Sequence, residues 1–232
     1  MHHLVYQTED VHQDLKRRIV EEDLSPGDFL VERDISLEYN VSRTPVREAL
    51  RLLVADGLVV LKRGRGYSVR QLTIEDLLEI FIAREAVEGT LASLATARLD
   101  AKLRQRILSI KSSLEEVDPT VQPIKAVNLG RQLHDSLAHA AGNQTLLDFY
   151  DKLRNVAALT RNLSKKSVDV EVVSRQEHLR IITAVLEERR DAAERNMRLH
   201  LRGTCERMVA AYLKGSTTSL GFVEELAEGS LP

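Results

Sequence analysis

Apolar residues recur at helical spacing along almost the whole chain, with one short interruption near residue 60. Between residues 43 and 53, Val46, Ala49, Leu50 and Leu53 fall at i, i+3, i+4 and i+7, one stripe of a helix. Ser42 stands at the N-cap position, and Pro45 lies in the first turn, where a missing N–H costs no helix bond. Upstream, Val11, Leu15 and Ile19 predict a helix over residues 8–22, Ser25-Pro26-Gly27 a turn, and residues 31–39 a short helix with Ile35 inward. Asn40 tolerates the left-handed backbone that a tight corner between two helices needs. The interruption comes next. Leu58-Val59-Val60-Leu61 and Tyr67-Ser68-Val69-Arg70 flank Lys62-Arg63-Gly64-Arg65-Gly66, which predicts two short strands around a glycine turn.

From Thr73 the strand signal disappears. Thr73, with Asp76 three residues on, marks the start of a helix lasting to about Leu99. Further helices are predicted over 101–117, 122–141, 144–163, 169–188 and 190–214, separated at Asp118-Pro119, Gly142-Asn143, 164–167 and 189–191. Short connections between six helices predict an antiparallel bundle. The expected fold is mainly α: an N-terminal winged helix-turn-helix over residues 8–70, a helical bundle over 73–214, and a frayed tail over 215–232.

Charge sharpens the first of these. The 232 residues carry a formal net charge of −2, which does not mark a nucleic-acid binder. From Arg43 to Arg70, however, seven Lys/Arg stand against two acids. Arg43, Arg47 and Arg51 repeat every fourth residue opposite the apolar stripe. Such a ladder alone suits a solvated surface; followed by a basic wing, it suits a nucleic-acid groove. Lys62 and Arg63 in the wing are then expected to contact phosphate. The one cysteine, Cys205, excludes an internal disulfide and fits a reducing compartment. No apolar run approaches the ~20 residues of a membrane span, and no signal-peptide core precedes the first helix. A cytoplasmic protein is expected.

The run from Leu24-Ser25-Pro26-Gly27 through Glu32-Arg33, Val41-Ser42-Arg43-Thr44-Pro45-Val46-Arg47-Glu48-Ala49-Leu50, Asp56-Gly57-Leu58 and Gly64-Arg65-Gly66-Tyr67 resembles the DNA-binding domain of GntR-type transcription regulators. The resemblance covers roughly residues 8–70. It implies that Arg33, Arg43, Thr44 and Arg47, with Ser42 at the helix start, touch phosphates or base edges of a double-stranded operator. It also implies that Gly64 and Arg65 enter the adjacent minor groove, and that a homodimer reads an inverted repeat, as a repressor would.

Three histidines carry the chemistry of the bundle. His134 lies at the edge of the Leu133, Leu137, Ala141 stripe, His178 on the face of Ile181, Ile182 and Val185, and His200 on that of Ala193, Met197 and Thr204. Each alone reads as a packed core histidine. Three on different helices of one bundle also suit a transition metal held by neutral imidazole nitrogens. The spacing leaves both open. Three histidines with an open position also resemble a hydrolytic zinc site, so a metal-dependent hydrolytic enzyme is the alternative function. Against it, no HExxH-type pairing and no general base lie on those faces.

Arg84-Glu85-Ala86-Val87-Glu88, Leu133-His134 with Ala140-Ala141-Gly142-Asn143, Glu177-His178-Leu179-Arg180-Ile181 and Met197-Arg198-Leu199-His200-Leu201 resemble the helical effector domain of the FadR-like branch of those regulators, the FCD type, over about residues 73–212. Many members of that type bind Zn²⁺ or Ni²⁺ through one Asp and three His, and a small organic acid completes the coordination. The resemblance implies His134, His178 and His200 as ligands and a small carboxylate as effector. The family's aspartate falls four residues before the first histidine, where this chain has Gly130. Either three histidines plus water or effector hold the metal, or the pocket has lost it, and Gly130→Asp is expected to tighten metal binding. Arg84 is either a bidentate clamp for a carboxylate or an i,i+4 partner of Glu88.

Overall fold

The computed structural model describes residues 8–21, 23–159 and 168–228. The chain divides into two compact units. The first runs to Leu77 and takes in the stretch from Asp151 that ends the seventh helix; the second begins at Leu78 and resumes after that stretch.

In the first unit, α1 (Thr8–Val20), α2 (Glu32–Glu38) and α3 (Arg43–Ala55) precede a hairpin of β2 (Val59–Lys62) and β3 (Gly66–Val69). The core joins the expected stripes: Val11, Leu15 and Ile19 of α1, Ile35 of α2, and Val46, Ala49, Leu50 and Leu53 of α3. Asn40 takes φ +51°, the left-handed corner between α2 and α3. Ser36 fixes that corner: its hydroxyl donates to the Val41 carbonyl at 2.6 Å, and its own carbonyl accepts from the Val41 N–H at 3.1 Å. The wing turns at Gly64 (φ +73°) and Gly66 (φ +83°), where L side chains are strained. A third strand, β1 (Phe29–Leu30), pairs antiparallel with β3 to give the order β1-β3-β2, with Leu30 opposite Tyr67 and Leu61 also opposite Tyr67. Two residues cannot show an alternation, so periodicity does not predict this strand. Gly27 (φ +95°) turns the chain onto it, donating its N–H to the Val69 carbonyl at 3.0 Å.

Helix α4 (Ile74–Ala97) opens with the expected cap. The Asp76 carboxylate accepts from the Thr73 N–H at 3.0 Å, and the Thr73 hydroxyl accepts from the Asp76 N–H at 3.1 Å. Helices α5 (Ala101–Glu116), α6 (Pro123–Ala140), α7 (Gln144–Leu159), α8 (Val168–Leu186) and α9 (Arg190–Glu228) follow. The breaks at Asp118-Pro119 and Gly142-Asn143 fall where they were expected, and the one expected at 189–191 comes at 187–189. Asp100 caps α5 through the Leu103 N–H at 2.7 Å, Gly142 (φ +63°) ends α6, and Asn143 caps α7 through the Leu146 N–H at 3.0 Å. Residues 160–163 of the expected fourth bundle helix and the break at 164–167 lie outside the described residues. Helix α9 continues past residue 214, where a frayed tail was expected. One glycine, Gly215, costs a helix about 1 kcal/mol and does not by itself end one. Among the described residues, no helix is long and apolar enough to cross a membrane.

Candidate functional site

In the first unit the predicted nucleic-acid residues lie on the exposed side of α2, α3 and the wing. Ser42 is extended (φ −69°, ψ 167°) at the N-cap of α3, and its hydroxyl makes no cap bond. It stands exposed beside Arg43 and Thr44. Arg33 is exposed and pairs with Asp34 at 3.2 Å. Arg63, Gly64 and Arg65 are exposed at the wing tip, and Lys62 places its ammonium 5.7 Å from the centre of the Phe29 ring. Arg47 is held in a way the spacing did not announce. Its Nε and Nη2 donate to the two carboxylate oxygens of Glu32 on α2, at 3.1 and 2.9 Å. That hydrogen bond, with the further charges of Arg43 and Arg51, holds the Glu32 carboxyl below its usual range. Glu32 thus fixes the planar fork of Arg47 at the surface of α3.

In the second unit, α6, α8 and α9 bring His134, His178 and His200 together, all buried. One nitrogen from each lies within 4.8 Å of the other two. Nε2 of His134 and Nε2 of His178 are 3.2 Å apart, and the rings of His178 and His200 are 4.3 Å apart at their centres. The glycine at 130 is structural. A Cβ built there would stand 3.0 Å from Nδ1 and 3.1 Å from Nε2 of His178, and closer still to Cε1. The His178 ring therefore occupies the side-chain space of residue 130. Asn128 is exposed, and Asp135 accepts from the Tyr150 hydroxyl at 2.5 Å.

Carboxylates the spacing did not bring forward surround the cluster. Glu88 of α4 contacts Nδ1 of His134, and Glu177 of α8 meets Nδ1 of His200 at 2.8 Å. Arg84 takes up the i,i+4 option: its Nε donates to Glu88 at 2.6 Å, and its guanidinium lies 4.9 Å from the Phe81 ring centre. Arg207 donates to both oxygens of Glu177, at 3.0 and 2.7 Å. Burial opposes the charge on Glu88, but Arg84 and His134 outweigh it and hold the carboxyl at about 2. Burial, with the neighbouring cations, drives His178 well below the usual histidine range. Burial also lowers His200 to about 4, against the pull of Glu177. These imidazoles stay neutral at pH 7, which is the form that binds metals. Three buried imidazoles from three helices, two of them with Nδ1 on a carboxylate, fit a transition metal rather than Mg²⁺ or Ca²⁺, which take oxygen.

Residues 7–69 match the model of the bacterial regulatory proteins of the gntR family, and residues 79–203 match the FCD domain. The chain belongs to the GntR family of transcription regulators. GntR-family relatives align over most of its length. The transcriptional repressor GlaR of Escherichia coli K12 is 30% identical over 83% of this chain and 91% of its own. The regulator YdhC of Bacillus subtilis 168 is 25% identical over 85% and 88%. A GntR regulator structure from Rhodococcus sp. RHA1 superposes with a TM-score of 0.73 at 25% identity, covering 88% of this chain and 98% of that one. GntR regulators bind DNA operators. Family and relatives are regulators rather than enzymes, so the hydrolytic alternative finds no support.

Proposed function

We propose that this chain is a homodimeric repressor whose helical unit senses a small organic acid through a Zn²⁺ or Ni²⁺ ion held by His134, His178 and His200. The convergence of three buried imidazoles from three helices carries the reading. Bound there, the ion supplies a Lewis-acidic seat for the carboxylate of the effector. Arg84 is the protein group that meets the effector, exchanging its bond to Glu88 for one to the acid. Dimerisation follows from how little one recognition helix reads: a few base pairs do not specify a genomic site, and two half-sites in an inverted repeat do. On each half-site Arg33, Ser42, Arg43, Thr44 and Arg47 face the major groove and the phosphates beside it. Lys62 and Arg63 meet phosphate, and Gly64 and Arg65 reach the minor groove. The name of GlaR as a repressor supports the sign of regulation.

The test is metal analysis of the purified protein, mass spectrometry of any co-purifying acid, and operator retardation with and without that acid. One equivalent of Zn²⁺ or Ni²⁺ per chain, and an acid that changes operator affinity about 5- to 150-fold, are expected. A metal-free protein that takes up neither ion overturns the metal reading. A protein that sediments as a monomer at micromolar concentration, yet binds its operator one-to-one, overturns the dimer.

A further inference from the structure

A divalent ion held by three imidazoles gains no compensating negative charge from its ligands, and position 130 offers none. The charge lies one bond further out. Glu88 on α4 touches Nδ1 of His134, and Glu177 on α8 touches Nδ1 of His200 at 2.8 Å. Each carboxylate is itself pinned. Glu88 is 3% exposed and accepts from Nε of Arg84 at 2.6 Å, while Glu177 is gripped by both terminal nitrogens of Arg207. An imidazole whose Nδ1–H rests on a carboxylate keeps its Nε2 bare and more basic, the form a metal needs. We infer that Glu88 and Glu177 are positioning residues of this metal centre. They fix His134 and His200 in the Nδ1–H tautomer and lend through the rings the negative charge that no direct ligand provides. The inference rests on the metal reading above.

The arrangement also explains why α8 matters twice. It carries the ligand His178 and, one residue earlier, the carboxylate that orients His200 on α9. In a merely packed core a carboxylate would satisfy an imidazole N–H just as well, so the test must separate the two roles. Glu177 is the better target, because Glu88→Gln also disturbs Arg84, the residue placed against the effector, whereas the partner of Glu177, Arg207, has no such role. Zn²⁺ and Ni²⁺ affinities are measured by competition with a chelator for wild type, Glu177→Gln, Glu177→Ala and Glu88→Gln. Tautomers are read in parallel from imidazole ¹H–¹⁵N correlations of the metal-free proteins. Glu177→Gln keeps an acceptor and loses the charge: His200 should stay Nδ1–H while affinity falls by about tenfold or more. Glu177→Ala loses both, so the tautomer should become mixed and affinity fall toward a hundredfold. Equal affinity in wild type and both Glu177 variants overturns this inference alone. If wild type binds neither ion, the metal reading falls and this one with it.

Discussion

Substitution of Gly130 separates what the family resemblance implies from what packing allows. By the family resemblance, an aspartate at 130 adds the missing ligand, and removing a glycine from a helix interior contributes about 1 kcal/mol. In the structure, any Cβ at 130 falls within about 3 Å of the His178 ring, whose Nδ1 and Nε2 would lie 3.0 and 3.1 Å away. Ordinary carbon contacts need about 3.5–4.0 Å, and Cε1 stands nearer than either nitrogen, so the ring must withdraw by about 1 Å. His178 is buried beside the fully buried Ile181 and Ile182 of its own helix, which leaves it little room. Overpacking of this kind costs about 1–3 kcal/mol. Set against the helix gain, Gly130→Ala should leave the metal-free protein between unchanged and about 2 kcal/mol less stable. The metal response should change more, because ligand distances tolerate only about 0.2 Å. Gly130→Ala should therefore weaken Zn²⁺ and Ni²⁺ binding at least about tenfold, the scale of a misoriented ligand. Gly130→Asp should fail to tighten it, the reverse of the expectation from the family resemblance. Chelator competition and thermal melts with and without metal read both effects. Tighter binding by Gly130→Asp would refute this packing argument.

The remaining predictions concern DNA and acid. Arg47→Ala should relax base preference at one position of each half-site, losing about 1–3 kcal/mol of discrimination in a binding-site selection, whereas Lys62→Ala should weaken all sequences alike and lower the salt slope by about one. A selection in which Arg47→Ala keeps its specificity would remove Arg47 from the base-reading set. In metal-free protein, His200 sits at about 4 against an unfolded value near 6.5. Between those values the unfolded chain binds more protons, so the stability present above pH 6.5 is lost as pH falls toward 4, by roughly 3 kcal/mol. Chelator-treated melts from pH 7.5 to 4.5 should show a steeper loss in wild type than in His200→Gln; parallel curves would place the acid sensitivity elsewhere.

Much of the fold is legible in the sequence, for reasons particular residues make plain. The stripe Val46, Ala49, Leu50, Leu53 specifies a buried helix face because four apolar side chains at helical spacing have one direction to go. Asn40 and the Thr73/Asp76 pair write their backbone geometry into residue type. The inward faces of His134, His178 and His200 follow from their stripes in the same way. What stayed hidden depends on how helices meet. Glu32 and Arg47 are fifteen residues apart, and no period links them until α2 lies on α3. Nothing in the sequence singles out Glu177 beside His178, and its reach across to His200 on α9 exists only in the packed bundle. Gly130 reads as a lost ligand, since an absent side chain carries no record of the ring that fills its place.

The charge balance of the buried cluster gives the pieces a common logic. Arg84 with Glu88 and Arg207 with Glu177 form two ion pairs beside the three imidazoles. Buried charge is tolerated when it is paired and hydrogen-bonded, and these pairs meet that condition without a metal. A divalent ion then adds two positive charges in a region where little water screens them. An anionic effector offsets part of that excess, and it can reach Arg84 only by competing with Glu88. On the proposed reading, metal and acid are coupled ligands: whatever factor the metal adds to the acid's affinity, the acid must add to the metal's. A neutral analogue of the same shape lacks the charge and should show little of this reciprocity. With no carboxylate at position 130, a larger share of the compensating charge has to come from the effector itself.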